Sequence, residues 1–342
     1  MDLTPSTAFR AESLAQLPAA MDVLASQPDI DSVILIVGAM AARAREIEQV
    51  FIDFVARCPK PVCVSWPAPP SGTEAHLAEH GIPSFDEPDR GLRALGHLAR
   101  LGAARSRPRR PDAFVPLAFD WRAQVPEGTA VVSEDRCHAI LRAAGLPAAD
   151  GALATSVAAA QRIAGEIGLP VVLKGITPRI THRAAAGLLA VDLRTTEDVA
   201  TGFRRLADRA AALAVTLDGV LVQRMARGGT ELLVAAFTDP VFGPMISVGA
   251  GGGLTELLDD VVTARAPVDA AVAADMIGRL RIAAHARDEA GPLDRSAPAA
   301  FVACLSRLCA GAPWQRFTFE VNPIRWNRTG VVAVDGLLVI EP

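Results

Sequence analysis

The sequence reads as an α/β protein, a small parallel-sheet domain followed by a two-lobed α+β region. Three observations predict this. Residues 1 to 102 alternate strand-like and helix-like runs joined by short turns, the pattern of a parallel sheet with right-handed crossovers. A basic, proline-containing segment, RSRPRRPD at 105–112, then interrupts the pattern, and beyond it strands and helices mix without strict alternation. At 342 residues the chain also exceeds what one ordinary core accommodates. The expected boundaries are 1–103 for the first domain, 104–120 for a linker and 121–342 for the second region.

In the first domain, SVILIVG (32–38) is a continuously apolar run, which predicts a strand covered on both faces. AARAREIEQVFIDFVARC (41–58) follows with Ile47, Val50, Phe51, Phe54 and Val55 at helical spacing. PVCVSW, a helix pattern over 73–80, the short strand IPSF and the helical RGLRALGHLARLG complete a domain that is flavodoxin-like in shape. In the second region, Ser133 and Gly145 bracket one helix, and Thr155 or Ser156 with Gly168 bracket another. LPVVLKG and GLLAVDL are strands, TTEDVATGFRRLADRAAAL a helix, and GVLVQRM, ELLVAAFTD and GPMISVG three further strands. Helices over 268–290 and 297–310 precede the closing strands RFTFEVN and GVVAVDGLLVI. No internal repeat of fixed period is present.

Composition narrows the function. A net charge of -4 argues against intrinsic nucleic-acid binding, and the basic run at 105–112 reads as a solvated linker. Five scattered cysteines (Cys58, Cys63, Cys137, Cys304, Cys309) fit reduced thiols better than disulfides or a zinc site. The start MDLTPSTAFR lacks a signal peptide, and the apolar runs are strand length, so a cytoplasmic protein without membrane spans is expected.

Six stretches carry chemistry. Lys174 ends the apolar PVVLK, where an ammonium either binds phosphate as a point charge or snorkels to water. GAGGGLTE (249–256), with Gly251 and Gly252, lets backbone N–H groups approach a phosphate or serves as a flexible turn; its spacing is not that of a dinucleotide fingerprint. In FEVNPI (319–324), Glu320 and Asn322 leave one strand face together, and Pro323 holds Asn322 extended. Asp335 ends VVAVD, and if the two strands pair, three oxygen side chains converge in a way that suits magnesium. The other reading is a polar strand edge. Gln223, Arg224 and Met225, then Glu231, sit in a hinge-like LVQRM…GGTELLV that offers either an adenine wall with a ribose or metal acceptor, or plain strand packing. His182 lies in a loop beside Arg183, a structural histidine or a nucleophile able to take a phosphoryl group. His76, His80, His97, His138 and His285 lie in helix-like stretches and are given no role.

In this order the motifs SEDRCHAILRAAGLP, LPVVLKGITPRITHR, VLVQRMARGGTELLVAAFTDPVFGP, GAGGGLTELLDD, FEVNPI and VVAVDG resemble those of the NDP-forming acyl-CoA synthetases, relatives of succinyl-CoA synthetase that carry an ATP-grasp domain. The likeness covers nearly all of 120–342, and DLTP, IDSVILIVG, KPVCVSW and GIPSF resemble the family's second flavodoxin module. It implies an ATP-dependent acid–CoA ligase, or its ATP-grasp subunit, with ATP/ADP, magnesium and CoA as cofactor and substrates. It gives Lys174 to the ATP phosphates, Gln223 to Met225 to the adenine hinge, Asn322 and Asp335 to magnesium, and Glu320 to the transferred phosphoryl. His182 takes the role of phosphoryl carrier. The chain departs from the family after His182, where Ala185 replaces an acid and Leu188 a glycine, and at Thr318, where many relatives have an acid. The CoA-binding Rossmann domain and the module with a second phosphorylated histidine are not visible, which implies an α-like partner chain or a homo-oligomer. Two competing readings are a degenerate ATP/ADP-binding regulatory subunit, which the alanines after His182 favour, and another ATP-grasp carboxylate ligase.

Overall fold

The computed structural model describes residues 11–38, 42–106, 117–180, 183–288 and 290–341. The chain divides into two compact units, Met1–Arg110 and Pro111–Pro342.

The first unit runs α1 (Ala11–Ser26), β1 (Val33–Ile36), α2 (Ala44–Arg57), β2 (Val62–Ser65), α3 (Thr73–Glu79), β3 (Ser84–Phe85) and α4 (Pro88–Ser106). Its strands form a parallel sheet in the order β1-β2-β3. Helix α2 buries Ile47, Phe51 and Phe54, the residues its 3.6-residue periodicity brings to one face. They share a core with Met21, Val64, Trp66, Leu77 and Ile82, and each such side chain contributes about 1.5–3 kcal/mol by leaving water. The expectation that β1 is covered on both faces is corrected. It is an edge strand, half-buried, with Ile36 60% exposed, whereas the central β2 is buried throughout.

The second unit runs α5 (Trp121–Gln124), β4 (Val131–Val132), α6 (Glu134–Ala143), β5 (Gly151–Ala154), α7 (Val157–Ile167), β6 (Val171–Ile176), α8 (Arg183–Ala186), β7 (Leu189–Leu193), α9 (Thr196–Ala212) and β8 (Gly219–Arg224). Then come β9 (Thr230–Asp239), β10 (Gly243–Ala250), a 3₁₀ turn (Gly252–Leu254), α10 (Thr255–Leu258), β11 (Val261–Arg265), α11 (Ala270–Gly278), α12 (Arg281–Ala284), β12 (Arg287–Asp288) and β13 (Gly291–Pro292). Helix α13 (Ser296–Ala310) leads to β14 (Arg316–Asn327), β15 (Gly330–Ala333) and β16 (Leu337–Glu341).

Two main sheets result, each the floor of one lobe. The smaller has the order β5-β8-β6-β7 and the larger β11-β10-β9-β14-β16-β4, with β15 paired to β14. Helices α7 and α9 pack together and against the small sheet over Ala160, Ile163, Leu173, Leu206 and Val222. Both start on side-chain caps, the first of them one of the two residues expected. Ser156 Oγ accepts from Ala159 N at 3.2 Å, and Thr195 and Asp198 form a reciprocal capping box, each worth about 1 kcal/mol. Ser133 stands at the N-cap of α6 as expected, but its hydroxyl makes no capping bond. Helices α11 and α13 cover the large sheet, whose core includes Phe301, Phe319, Trp326 and Leu338.

Two expected elements are each divided. The helix over 268–290 stops at Gly278 and resumes as α12, because buried Asp260 accepts from the N–H groups of Arg281 and Ile282 at 3.0 and 2.8 Å. The strand over 330–340 breaks into β15 and β16, so Asp335 lies in the connection between them and not at a strand end.

Candidate functional site

Register decides which side chains meet. In the small sheet Lys174 pairs with Leu221, so Gln223, two residues on, shares its face. Leu173 points the other way, into the core under α7 and α9. In the large sheet the β9–β14 register slips between Val321 and Ile324, which leaves Asn322 and Pro323 outside the regular ladder. Pairing of β14 with β15, through Ile324 and Ala333, brings the connection that carries Asp335 alongside that bulge.

The two lobes are then tied by one carbonyl. Val334 O accepts from Lys174 Nζ and from Gln223 Nε2, each at 2.9 Å. The next residue, Asp335, accepts from Asn322 N through its own carbonyl at 3.2 Å, and its carboxylate lies 3.9 Å from Lys174 Nζ. Asn322 Oδ1 accepts from Gly252 N at 2.8 Å, and its Nδ2 donates to Glu320 Oε1 at 3.3 Å. Gly252 has φ +66°, and a Cβ there would run into the Glu231 carboxylate, so only glycine fits. Gly251 N donates to Glu231 O at 3.0 Å. Lys174, Gln223, Glu231, Gly251, Gly252, Glu320, Asn322 and Asp335 thus form one connected region.

The remaining candidates stand apart. Arg224 is exposed and ion-paired with Asp150 at 3.5 Å, while Met225 N donates to Pro170 O at 3.1 Å just before the start of β6. Glu231 joins the connected region through its backbone carbonyl, while its carboxylate is engaged by Arg325 at 2.5 Å. His182 lies outside the described residues. Its successor Arg183 opens the short helix α8 and lies 3.4 Å from Asp335. A cleft of about 320 Å³ opens beside Arg183, bounded by Ser133, Arg136, Ile176, Thr177 and Ile180. Lys174 is not in its wall; the amine is covered by Glu134 and Val334.

The residue that sequence reasoning missed is Glu134. It is fully buried at the start of α6, which touches β5 of one sheet and β16 of the other. Its Oε1 accepts from Lys174 Nζ at 2.5 Å, and its Oε2 lies 3.0 Å from Arg183. Burial pushes the Glu134 carboxyl up to about 7, against the pull of Lys174 and Arg183 and with the push of Asp335. One turn along the same helix, His138 is 1% exposed with neither ring nitrogen hydrogen-bonded. Burial and the charges of Lys174, Arg142 and Arg183 lower its pKa to about 3, so the ring is neutral. An acid in the first turn of a helix is favoured by the helix dipole alone, and nothing local marked Glu134 as a partner for Lys174.

No group of three or more histidine, cysteine or acidic side chains able to hold a metal occurs among the described residues. The set at the β14 bulge is two carboxylates and an amide, hard oxygen donors of the kind magnesium takes along with water and phosphate oxygens.

Residues 124–340 match the family described as ATP-grasp domain. The chain belongs to the ATP-grasp family. A trans-feruloyl-CoA synthase from an unknown prokaryotic organism is 31% identical over 78% of this chain and 37% of its own length. That span is longer than the second compact unit, so the similarity reaches into the first. The beta subunit of an ADP-forming acetate–CoA ligase I from Pyrococcus furiosus is 31% identical over 60% of this chain and 90% of its own length. Among solved structures, acetyl-coenzyme A synthetase 1 of Candidatus Korarchaeum cryptofilum, in complex with coenzyme A and Ca-AMPCP, superimposes with a TM-score of 0.59 at 27% identity. That match covers 63% of this chain and 95% of the other. These relatives place this ATP-grasp chain among the NDP-forming acyl-CoA synthetases, as its motifs implied. It spans well under half the length of the synthase it matches.

Proposed function

We propose that this chain is the β-like, nucleotide-handling portion of an ATP-dependent, NDP-forming acid–CoA ligase. The observation that carries the reading is the Val334 carbonyl shared by Lys174 and Gln223, because it brings a phosphate-type cation and a hinge residue onto the strand connection that bears Asp335. Lys174 would contact the ATP phosphates and Gln223 to Met225 the adenine, while the side-chain-free turn at Gly251 and Gly252, whose N–H groups bind Glu231 and Asn322, would leave room for the phosphates. Asp335, Asn322 and Glu320 would hold magnesium, which supplies charge neutralisation of the phosphate oxygens. His182 attacks the γ-phosphorus, the bond to the β-phosphate oxygen breaks, and ADP leaves. The phosphoryl group then passes from the ring nitrogen to a carboxylate, and CoA thiolate displaces inorganic phosphate to form the thioester. Placing these groups beforehand supplies most of the acceleration.

Under this reading 1–103 is a flavodoxin-like module, 104–120 a linker and 121–342 the ATP-grasp domain. The parallel β1-β2-β3 order and the reach of the synthase similarity support the first of these. CoA and acyl sites come from an α-like partner chain, or from a homo-oligomer. The location is the cytoplasm, where ATP and CoA are available and the five cysteines, all free, stay reduced. Among the described residues no helix is long and apolar enough to cross a membrane.

The test is incubation with γ-labelled ATP and magnesium. Acid-labile label on the wild type that disappears in His182→Ala supports phosphoryl relay, and ATP-dependent thioester formation only with an α-like partner supports the split. Robust thioester formation by this chain alone would remove the need for a partner. One observation favours a second reading, a regulatory ATP/ADP-binding subunit without catalysis. Arg183–Ala186 forms a helical turn whose arginine lies 3.4 Å from the proposed metal ligand Asp335. Nucleotide binding without any label would decide for it.

A further inference from the structure

Resting on the nucleotide reading above, we propose that Glu134 is a resident counter-ion for the phosphate-binding cations. It holds Lys174 and Arg183 while the site is empty and competes with phosphate for them, which sets how tightly nucleotide binds and how readily it leaves.

The geometry assigns this role in three steps. An ammonium has three donors, and Lys174, only 5% exposed, spends two of them on Glu134 at 2.5 Å and Val334 O at 2.9 Å. One donor stays available, so phosphate enters by adding a contact and then by displacing the carboxylate. Next, the local charges balance: Lys174 and Arg183 face Glu134 and Asp335. Without Glu134 the buried amine would be left largely uncompensated, a costly state that an incoming anion relieves. Last, the grip on Arg183 is incomplete. Its guanidinium is 3.0 Å from Glu134 Oε2, yet that oxygen accepts no aligned hydrogen bond and Arg183 Nε has no partner. A contact of this kind exchanges more easily than a bidentate pair. Arg183 directly follows His182, so the exchange bears on the segment that carries the phosphoryl acceptor.

The role is that of a positioning residue, acting through Lys174, and a double-mutant cycle tests it. MgADP binding is measured by titration calorimetry at about pH 8, where carboxylates are ionised, for the wild type, Glu134→Gln, Lys174→Met and the double variant. Removal of a unit charge a few ångströms from the phosphates is expected to tighten binding about tenfold in Glu134→Gln. In the Lys174→Met background the same change is expected to tighten binding only about threefold, because the carboxylate then has Arg183 alone to hold and the part of the effect that acts through Lys174 is lost. If Glu134→Gln does not fold, Glu134→Asp, which draws the charge back by one methylene, is expected to tighten binding about threefold. Weaker binding in Glu134→Gln, or an equal effect in both backgrounds, overturns the counter-ion role and leaves the nucleotide reading standing. Absence of MgADP binding by the wild type overturns both.

Discussion

Among the described residues, each unit has a buried glutamate beside a histidine, Glu48 and Glu134, and the two arrangements differ. Glu48, in α2 of the first unit, is 1% exposed and fully engaged. It accepts from Thr73 at 2.6 Å, His76 at 2.6 Å and Arg45 at 2.8 Å. Burial works against its charge, but those hydrogen bonds and the Arg45 charge together carry its pKa below the ordinary carboxylate range. Glu134 in the second unit meets two cations, yet burial prevails and its pKa rises to about 7. His76 is bound to its glutamate; His138, one turn from Glu134, is bound to nothing. A carboxylate saturated by neutral and charged donors is a structural clasp, whereas one that shares cations and leaves polar atoms unpaired keeps free energy in reserve for a ligand.

The sharpest way to break the comparison is Lys174→Met. It removes the cation that both holds Glu134 and is proposed to receive phosphate. Breaking a buried pair from one side costs about 3–5 kcal/mol, read as a shift of the urea midpoint, and nucleotide affinity should fall at least about a hundredfold, a loss of ~3 kcal/mol in binding. Retained affinity would mean that Lys174 is a structural ion pair and the two glutamates are alike.

Glu48→Gln comes next. The amide keeps one acceptor but presents NH₂ where Arg45 and His76 now donate, leaving donors unmet at a cost of about 1–3 kcal/mol. Its signature is selectivity: stability falls while MgADP affinity in the second unit stays unchanged. A change in nucleotide binding would sink the view that this clasp is structural.

The histidines give a pH-dependent version. His138 titrates near 3 when folded and near 6.5 when unfolded. The unfolded chain therefore binds the extra proton between those values, so this residue subtracts stability as pH falls below 6.5 and subtracts nothing more below 3. The stability of His138→Leu relative to wild type should be constant above about pH 7 and increase by up to about 1.4 kcal/mol per unit below 6.5. Chemical denaturation at a series of pH values checks it, and a flat difference would show that the ring has a proton acceptor in the folded state.

How much of this was legible in the sequence follows from the range of each interaction. Lys174, Asn322 and Asp335 stood out because a short apolar run ending on a polar residue is a local signal; the approach of Asp335 to Asn322 needed only β14 and β15 to pair, whereas Lys174 reaches them from the other sheet through Val334 O. Capping at Ser156 was legible for the same reason. Glu134 was not, since its partners lie on β6 and α8 and no local pattern reports a contact between helix and distant strand. Nor was the break in the helix over 268–290, which depends on Asp260 reaching across to the N–H groups of Arg281 and Ile282. The edge position of β1 was hidden by its composition, because VILI reads alike in a central strand and at a sheet margin. Local chemistry was readable, and long-range pairing of charges was not.

The smallest effect discriminates best between the two glutamates. Arg45 lies 2.8 Å from Glu48, but its side chain is 68% exposed. Water and salt screen such a cation, and exposed pairs contribute about 0.2–1 kcal/mol. If Thr73 and His76 already satisfy Glu48, Arg45→Ala should cost less than about 0.5 kcal/mol, and raising the salt concentration should erase the difference. Arg183, the corresponding cation in the second unit, has only 11% of its side chain exposed. Arg183→Ala should therefore cost several times more and lose little of that effect in high salt. Denaturant midpoints for both variants at low and high ionic strength give the answer directly. Equal costs with equal salt sensitivity would mean that burial does not separate the two clusters, and the contrast between clasp and counter-ion would fail with it.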